Sequence, residues 1–298
     1  MMRKLNKSSL LLAAALAIGS GAAAALDLNK PEDSYQAMLR VVGDLSGKTV
    51  FKDWDAMIFA QLPGEKAKPI LRTIGFNAGR MIKQPDGSYH WVTREVSFYV
   101  DIKTGQIIEN WTNPLNGKTV KVVHVANDPV SNKFPLIEPG KPNMFAAFSK
   151  FEVRGDVAWM RWDVPLKYPN ELKPADYPEE SHGDTYIASE HFHFFVSTAE
   201  AQDDKPTSTG THYSWFRTGP WLPWMKMGQA PGTLLYSGNG RKYASFEELP
   251  EQLREYTRKH YPKFTDAPTS FYQPNETSWS YYRKLREAEA KAGKPASK

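Results

Sequence analysis

Residue types and spacing point most directly at chemistry in the segment Ser189-Glu190-His191-Phe192-His193-Phe194-Phe195. Side chains alternate along an extended chain. His191, His193 and Phe195 therefore share one face, and Glu190, Phe192 and Phe194 the other. Two imidazoles two residues apart on a strand form a recurrent metal-ligand geometry, and His212 on the next predicted strand offers a third nitrogen for a divalent metal. The same histidines suit general acid/base work, with another histidine or a carboxylate to orient them. They equally suit plain hydrogen bonding on a sheet face, and all three readings stand open. Glu190 lies on a phenylalanine face, where a carboxylate needs a cation; Arg94 or Arg161 can supply it.

The stretch Tyr89–Asp101 places His90, Val92, Arg94, Val96 and Phe98 on one face, and Trp91, Thr93, Glu95, Ser97 and Tyr99 on the other. Both faces are half apolar, so Arg94 or Glu95 becomes an interior charge, either paired in a salt bridge or used for chemistry. His124 and Asp128 stand close together, but Asn127-Asp128-Pro129 is a turn signal in its own right. Trp215, Trp221, Trp224, Met225 and Met227 crowd one Pro-rich stretch. Such large side chains either line an apolar ligand pocket or plug the end of a barrel. The expectation is a pocket between Trp215, Trp221 or Trp224 and the His191/His193/Glu190 strand. Since Glu190 and His191 point oppositely, only one of them lines it, and the His191 and His193 face is the one expected.

The elements that must position these groups are mostly strands. Tyr35, Met38, Leu39 and Val42 have helical spacing over Pro31–Val42, with Pro31 in the first turn. From Val50 to Ala126 short β-rich runs alternate with turns, among them Pro63-Gly64, Pro85-Asp86-Gly87 and Asn113–Gly117, which reads as an antiparallel meander. Within it Gly75 and Gly79 suggest bulges or bends. The meander resumes with Met144–Val153, Val157–Val164, Tyr186–Thr198 and Thr211–Phe216. Leu234–Ser237 and an Asn239-Gly240 turn close it. Ser245 with Glu248 resembles a capping box; helices follow near Leu253 and Tyr256 and over Thr277–Ala290. No βαβ alternation occurs, which argues against a Rossmann-type or TIM-barrel fold. The fold expected is mainly β, an antiparallel barrel or strongly curved sheet, with one N-terminal and two or three C-terminal helices.

Composition bounds the function. The chain has 298 residues and no cysteine, which removes disulfides, thiol nucleophiles and cysteine-held clusters. Met1–Ala25 has a basic start (Arg3, Lys4, Lys7), an apolar run from Leu10 to Ile18 and a small-residue site at Ala23-Ala24-Ala25, so it reads as a secretory signal. Its loss takes three positive charges and no acids, so the formal +5 becomes +2. That balance gives no reason to expect nucleic acid or an anionic membrane as partner. The mature chain, 26–298, is then a single β-rich domain, periplasmic or secreted, with no stable membrane insertion after cleavage. No P-loop, GxGxxG, GxSxG or HExxH motif is present, and no cofactor is predicted from a motif.

Several phrases in order resemble a bacterial and fungal family, domain of unknown function 1838 (DUF1838). They are Arg94-Glu95 within Val92–Tyr99; Trp111-Thr112-Asn113-Pro114 with Gly117; His124-Val125-Ala126-Asn127-Asp128-Pro129-Val130; Ser189-Glu190 before the Phe-rich strand; and Ser214-Trp215 followed by Pro220-Trp221-Leu222-Pro223-Trp224-Met225 and Met227-Gly228. The resemblance implies one β-rich domain of unassigned activity and carries over no catalytic residue. The residues themselves support three functions. One is a cofactor-free acid/base enzyme (isomerase, lyase or hydrolase) acting on a small, partly apolar or aromatic molecule, using His191, His193, His212, Glu190 and Arg94, with Trp215, Trp221, Trp224 and Met225 as the binding wall. A second is a non-catalytic periplasmic ligand-binding protein. The third is a metalloenzyme centred on His191 and His193.

Overall fold

The computed structural model describes residues 25–137 and 148–293. Helix α1 spans Pro31–Val42 and leads into three long strands, β1 (Val50–Gln61), β2 (Lys68–Lys83) and β3 (Tyr89–Val100). Four short strands follow: β4 (Asn110–Thr112), β5 (Thr119–Lys121), β6 (Val125–Asn127) and β7 (Asn132–Phe134). Next come β8 (Phe151–Arg154), β9 (Val157–Pro169), β10 (Thr185–Ser197), the short helix α2 (Thr198–Gln202), β11 (His212–Gly219) and β12 (Thr233–Tyr243). Helices α3 (Glu251–His260) and α4 (Ser278–Lys291) end the fold. Residues 1–24 of the predicted secretory signal and the start of the predicted Met144–Val153 strand, residues 144–147, lie outside the described residues.

Ten strands make one antiparallel sheet in the order β6-β3-β2-β1-β12-β11-β10-β9-β8, with β7 also paired to β3, while β4 and β5 form a separate hairpin. The sheet is curved but does not close into a barrel. It ends in β8 on one side and in β6 and β7 on the other, elements of three or four residues that do not pair with one another. The concave face carries a core at each end. At one end α1 buries Tyr35, Met38, Leu39 and Val42 against Met81, Trp91, Met160 and Phe194. At the other, the Trp221–Met225 loop and Trp279 of α4 pack on Ile58, Leu71, Tyr99 and Tyr236. On the convex face, α3 and the turns around it cover only the β1–β3 side, where Phe76, Val96 and Phe98 meet Phe246, Leu253 and Phe264.

Three local expectations are overturned. Gly75 and Gly79 are not bulges: β2 keeps unbroken register with β1 and β3 through both, and the irregularity in β1 falls at Ile58/Phe59. The two glycines are seats for indoles instead. A methyl at Gly79 would lie 2.1 Å from the Trp91 ring, and one at Gly75 2.6 Å from Trp54. Asn239-Gly240 is not a turn either, because β12 runs through it, with Asn239 opposite Asp55 and Gly240 opposite Tyr213. A methyl at Gly240 would collide with the Asp53 carbonyl and the Tyr213 ring, so glycine there serves close approach. Finally, Ser245 donates to Glu248 Oε1 without capping a backbone amide; the capping box belongs to Thr277 and Ser280, at the start of α4.

Candidate functional site

Between the two concave cores the sheet leaves a cavity of about 580 Å³ that shares Trp54, Glu95, Glu190, Arg217 and Trp279 with an adjoining chamber of about 160 Å³. Strand register explains what lines it. Lys242 of β12 lies opposite Lys52 of β1, Lys52 opposite Asn77 of β2, Asn77 opposite Glu95 of β3, and Glu95 opposite Asn127 of β6. Direct cross-strand partners share a face, so one polar row crosses five strands of the concave side. A second row runs Glu190 (β10), Arg217 (β11), Tyr236 (β12). Between the two rows lie Phe192 and Trp215, stacked at 6.4 Å between centroids, and Trp54, 6.2 Å from Trp215.

The second row is an ion-pair network. Arg217, 7% exposed, donates from Nε to Glu190 Oε1 at 2.9 Å and from Nη2 to the Tyr186 hydroxyl. Its guanidinium also lies 5.1 Å from the Tyr236 ring centroid. Arginine keeps its charge under burial, so a fixed cation stands in an aromatic wall. Burial pushes the Tyr236 hydroxyl up to about 12, with Arg217 opposing the rise, and that hydroxyl is therefore neutral at physiological pH.

The first row holds the group most suited to proton transfer. Burial lifts the Glu95 carboxyl to about 7, against the hydrogen bond from Asn127 Nδ2 to Oε1 at 2.7 Å, while Glu190 adds to the rise and Arg217 opposes it. A carboxyl near neutrality is well matched to donate or accept a proton at physiological pH. Several polar atoms of the lining have no hydrogen-bond partner among the described residues: Asn77 Oδ1, Asn127 Oδ1, Trp215 Nε1 and Trp279 Nε1. Buried polar atoms are normally paired, so these are available to a bound molecule.

The chain matches the family described as "Protein of unknown function (DUF1838)" over residues 47–286. It belongs to that family. The matched span contains every strand of the sheet and every cavity-lining residue named above. No curated protein matches the chain.

The sequence-predicted site residues separate. Glu190 lines the cavity, and its cation is Arg217 rather than Arg94 or Arg161. Arg94 points to the convex face, where it meets Asp128 and the Lys263 carbonyl. His191, His193 and His212 share the face opposite the cavity, because they have the other strand parity. His191 bonds Asp163 Oδ1 and Ser189 Oγ, each at 2.8 Å; His193 lies opposite Ser214, and His212 opposite Phe195. The expected pocket wall of His191 and His193 is thus replaced by the Glu190 face. Among the described residues no group of three or more His, Asp or Glu is placed to hold a metal ion.

Of the tryptophan cluster, Trp215 lines the adjoining chamber. Trp221, Trp224 and Met225 are core: Trp221 donates to the Ala230 carbonyl at 2.9 Å, and Trp224 packs on Tyr99 and Trp111. His124 is also core. Its Nδ1 accepts from the Tyr99 amide at 3.2 Å, and burial pushes its ring down to about 4, so it stays neutral. Sequence reasoning did not find Arg217, Tyr186, Asn127, Asn77 or Lys52. The signal available was parity: once Glu190 and Glu95 are placed on the inner face, register assigns their neighbours.

Proposed function

We propose that the protein is an acid/base enzyme that moves a proton on a small, partly apolar or aromatic molecule held in the concave cavity. The observation that carries this is the placement of the Glu95 carboxyl with Arg217 in one chamber walled by Trp54, Phe192 and Trp215, where burial lifts that carboxyl to about 7. Glu95 is the proton-transfer group and Asn127 its positioning residue. Arg217, fixed by Glu190 and Tyr186, stabilises negative charge that develops on the molecule when the proton leaves. Isomerisation, elimination and hydrolysis all use such a step. The predicted signal at Met1–Ala25 supports export, with the work done in the periplasm or outside the cell.

A probe needing only a base tests this. 5-Nitrobenzisoxazole is a small aromatic whose ring opens when one carbon-bound proton is removed. The protein is expected to open it about a hundredfold faster than free acetate at equal concentration. The rate should rise as pH increases through about 7, since the ionised carboxylate is the active form, and should vanish in Glu95→Gln. A rate equal in wild type and Glu95→Gln overturns the proposal. The unpartnered lining atoms also suit a non-catalytic binding protein; in that case both proteins bind the probe and neither opens it.

A further inference from the structure

The proton-transfer reading leaves Lys52, an ionisable group of the cavity, unused. Lys52 faces the same chamber as Glu95, two strands away along the polar row. Its Nζ lies 4.8 Å from the Trp91 ring centroid, and among the described residues it has no hydrogen bond or ion pair. Its cross-strand neighbour Lys242 differs in its partners. Lys242 Nζ donates to the carbonyls of Arg40 and Gly43, at the C-terminal end of α1, where a cation is favoured. A tethered amine therefore stands directly beside an untethered one on an aromatic seat, and burial pushes the Lys242 ammonium down to about 7.

We propose that Lys52 is a carbonyl-capturing amine, at which a small aldehyde or ketone with an apolar or aromatic body condenses as an imine. The surroundings supply what the step requires. Burial pushes the Lys52 ammonium down to about 7 as well, so a substantial fraction is neutral and nucleophilic at physiological pH, as lysines desolvated in apolar pockets are elsewhere. The Nζ lone pair adds to the carbonyl carbon, the C=O pair moves to oxygen, and that oxygen is protonated. The two hydrogens that nitrogen gives up leave with the oxygen as water, and a C=N bond remains. Hydrolysis by one water returns the lysine and the carbonyl compound. The imine makes hydrogens on the adjacent carbon acidic. Lys52 and Glu95 have Cα atoms about 10 Å apart, two strand spacings, a gap that a lysine arm and a bound small molecule span. Glu95 would take that proton and return it, so the inference rests on the Glu95 reading and narrows its substrate class to carbonyl compounds.

Reductive trapping tests it. The full chain is incubated at neutral pH with limiting benzaldehyde and sodium cyanoborohydride, digested, and its lysines mapped by mass spectrometry. Benzylation of Lys52 at least about tenfold ahead of the exposed lysines is the expected result, with the labelled peptide absent in Lys52→Arg and Lys52→Met. Both variants are checked for native melting, and either one suffices. Labelling spread over exposed lysines with none at Lys52, or labelling of Lys242 in its place, overturns the proposal. Glu95→Gln separates the two readings. Lys52 labelling in that variant stands even if ring opening of 5-nitrobenzisoxazole proves independent of Glu95. Conversely, ring opening lost in Glu95→Gln but retained in Lys52→Met, with no Lys52 label, keeps the proton-transfer reading and removes this one.

Discussion

Glu190 and His191 are joined by one peptide bond and occupy opposite environments. Glu190 faces the concave cavity with a side chain 25% exposed, held by the Arg217 side chain, 9% exposed, beside aromatic rings. His191 faces outward on the part of the sheet that α3 does not cover, with a side chain 40% exposed and an Asp163 partner 58% exposed. Both are ion-pair geometries of similar length, 2.9 and 2.8 Å. They differ in what water does to them. A solvated pair contributes little, because water screens it and both partners are equally content apart. A desolvated pair is demanding, because removing one partner strands the other. Ionisable groups on this sheet therefore acquire chemical potential from the face they occupy more than from their type.

The comparison breaks most visibly at Arg217. Arg217→Met leaves Glu190 facing an aromatic wall alone and should cost about 3–5 kcal/mol in chemical denaturation. Asp163→Asn on the outer face should cost under about 0.5 kcal/mol. Equal costs would mean that the inner pair is as wet as the outer one.

Glu95 sharpens the contrast through pH. Its folded carboxyl is raised from 4.5 to about 7, so the folded state holds the proton more firmly than the unfolded one. The stability it contributes is complete below about pH 4.5 and is lost as pH rises through 7. Glu95→Gln removes that loss. The variant should gain at most about 3 kcal/mol on wild type between pH 5 and pH 8, read as a diverging pair of melting curves. Parallel curves would show that the carboxyl is not desolvated.

Packing supplies the third test. Gly79→Ala places a methyl against Trp91, the seat of Lys52. A loss of about 2 kcal/mol is expected, together with slower benzylation of Lys52. No change in either would show that the indole yields freely.

The smallest effect belongs to the outer face. His191→Ala with His193→Ala should keep stability within about 0.5 kcal/mol per residue and leave the 5-nitrobenzisoxazole rate unchanged. A collapse of the rate would return the site to the histidines.

Much of this was legible locally. The α1 span follows from its spacing and its proline, and the long strands follow from alternation. The opposed parity of Glu190 and His191, and that of Arg94 and Glu95, are direct consequences of extended backbone. Choosing the inward face was not legible, because both faces of β10 carry aromatic residues and both carry ionisable ones. Arg217, the cation of Glu190, is 27 residues away and becomes its neighbour only through the β10–β11 register. The indole seats at Gly75 and Gly79 look like bends in sequence, since a missing side chain signals turn and close approach alike.

By itself the sequence determined membership of the family, the β-rich class, the alternation along each strand and the short list of ionisable groups with apolar neighbours. Tertiary structure alone decided the rest. It set which face closes over, because α1, the Trp221–Met225 loop and α4 approach from one side. It also aligned Lys242, Lys52, Asn77, Glu95 and Asn127 into one row, because register between distant strands depends on the whole sheet. Desolvation, which gives Glu95 and Lys52 their altered proton affinities, is a property of that enclosure and of no single segment.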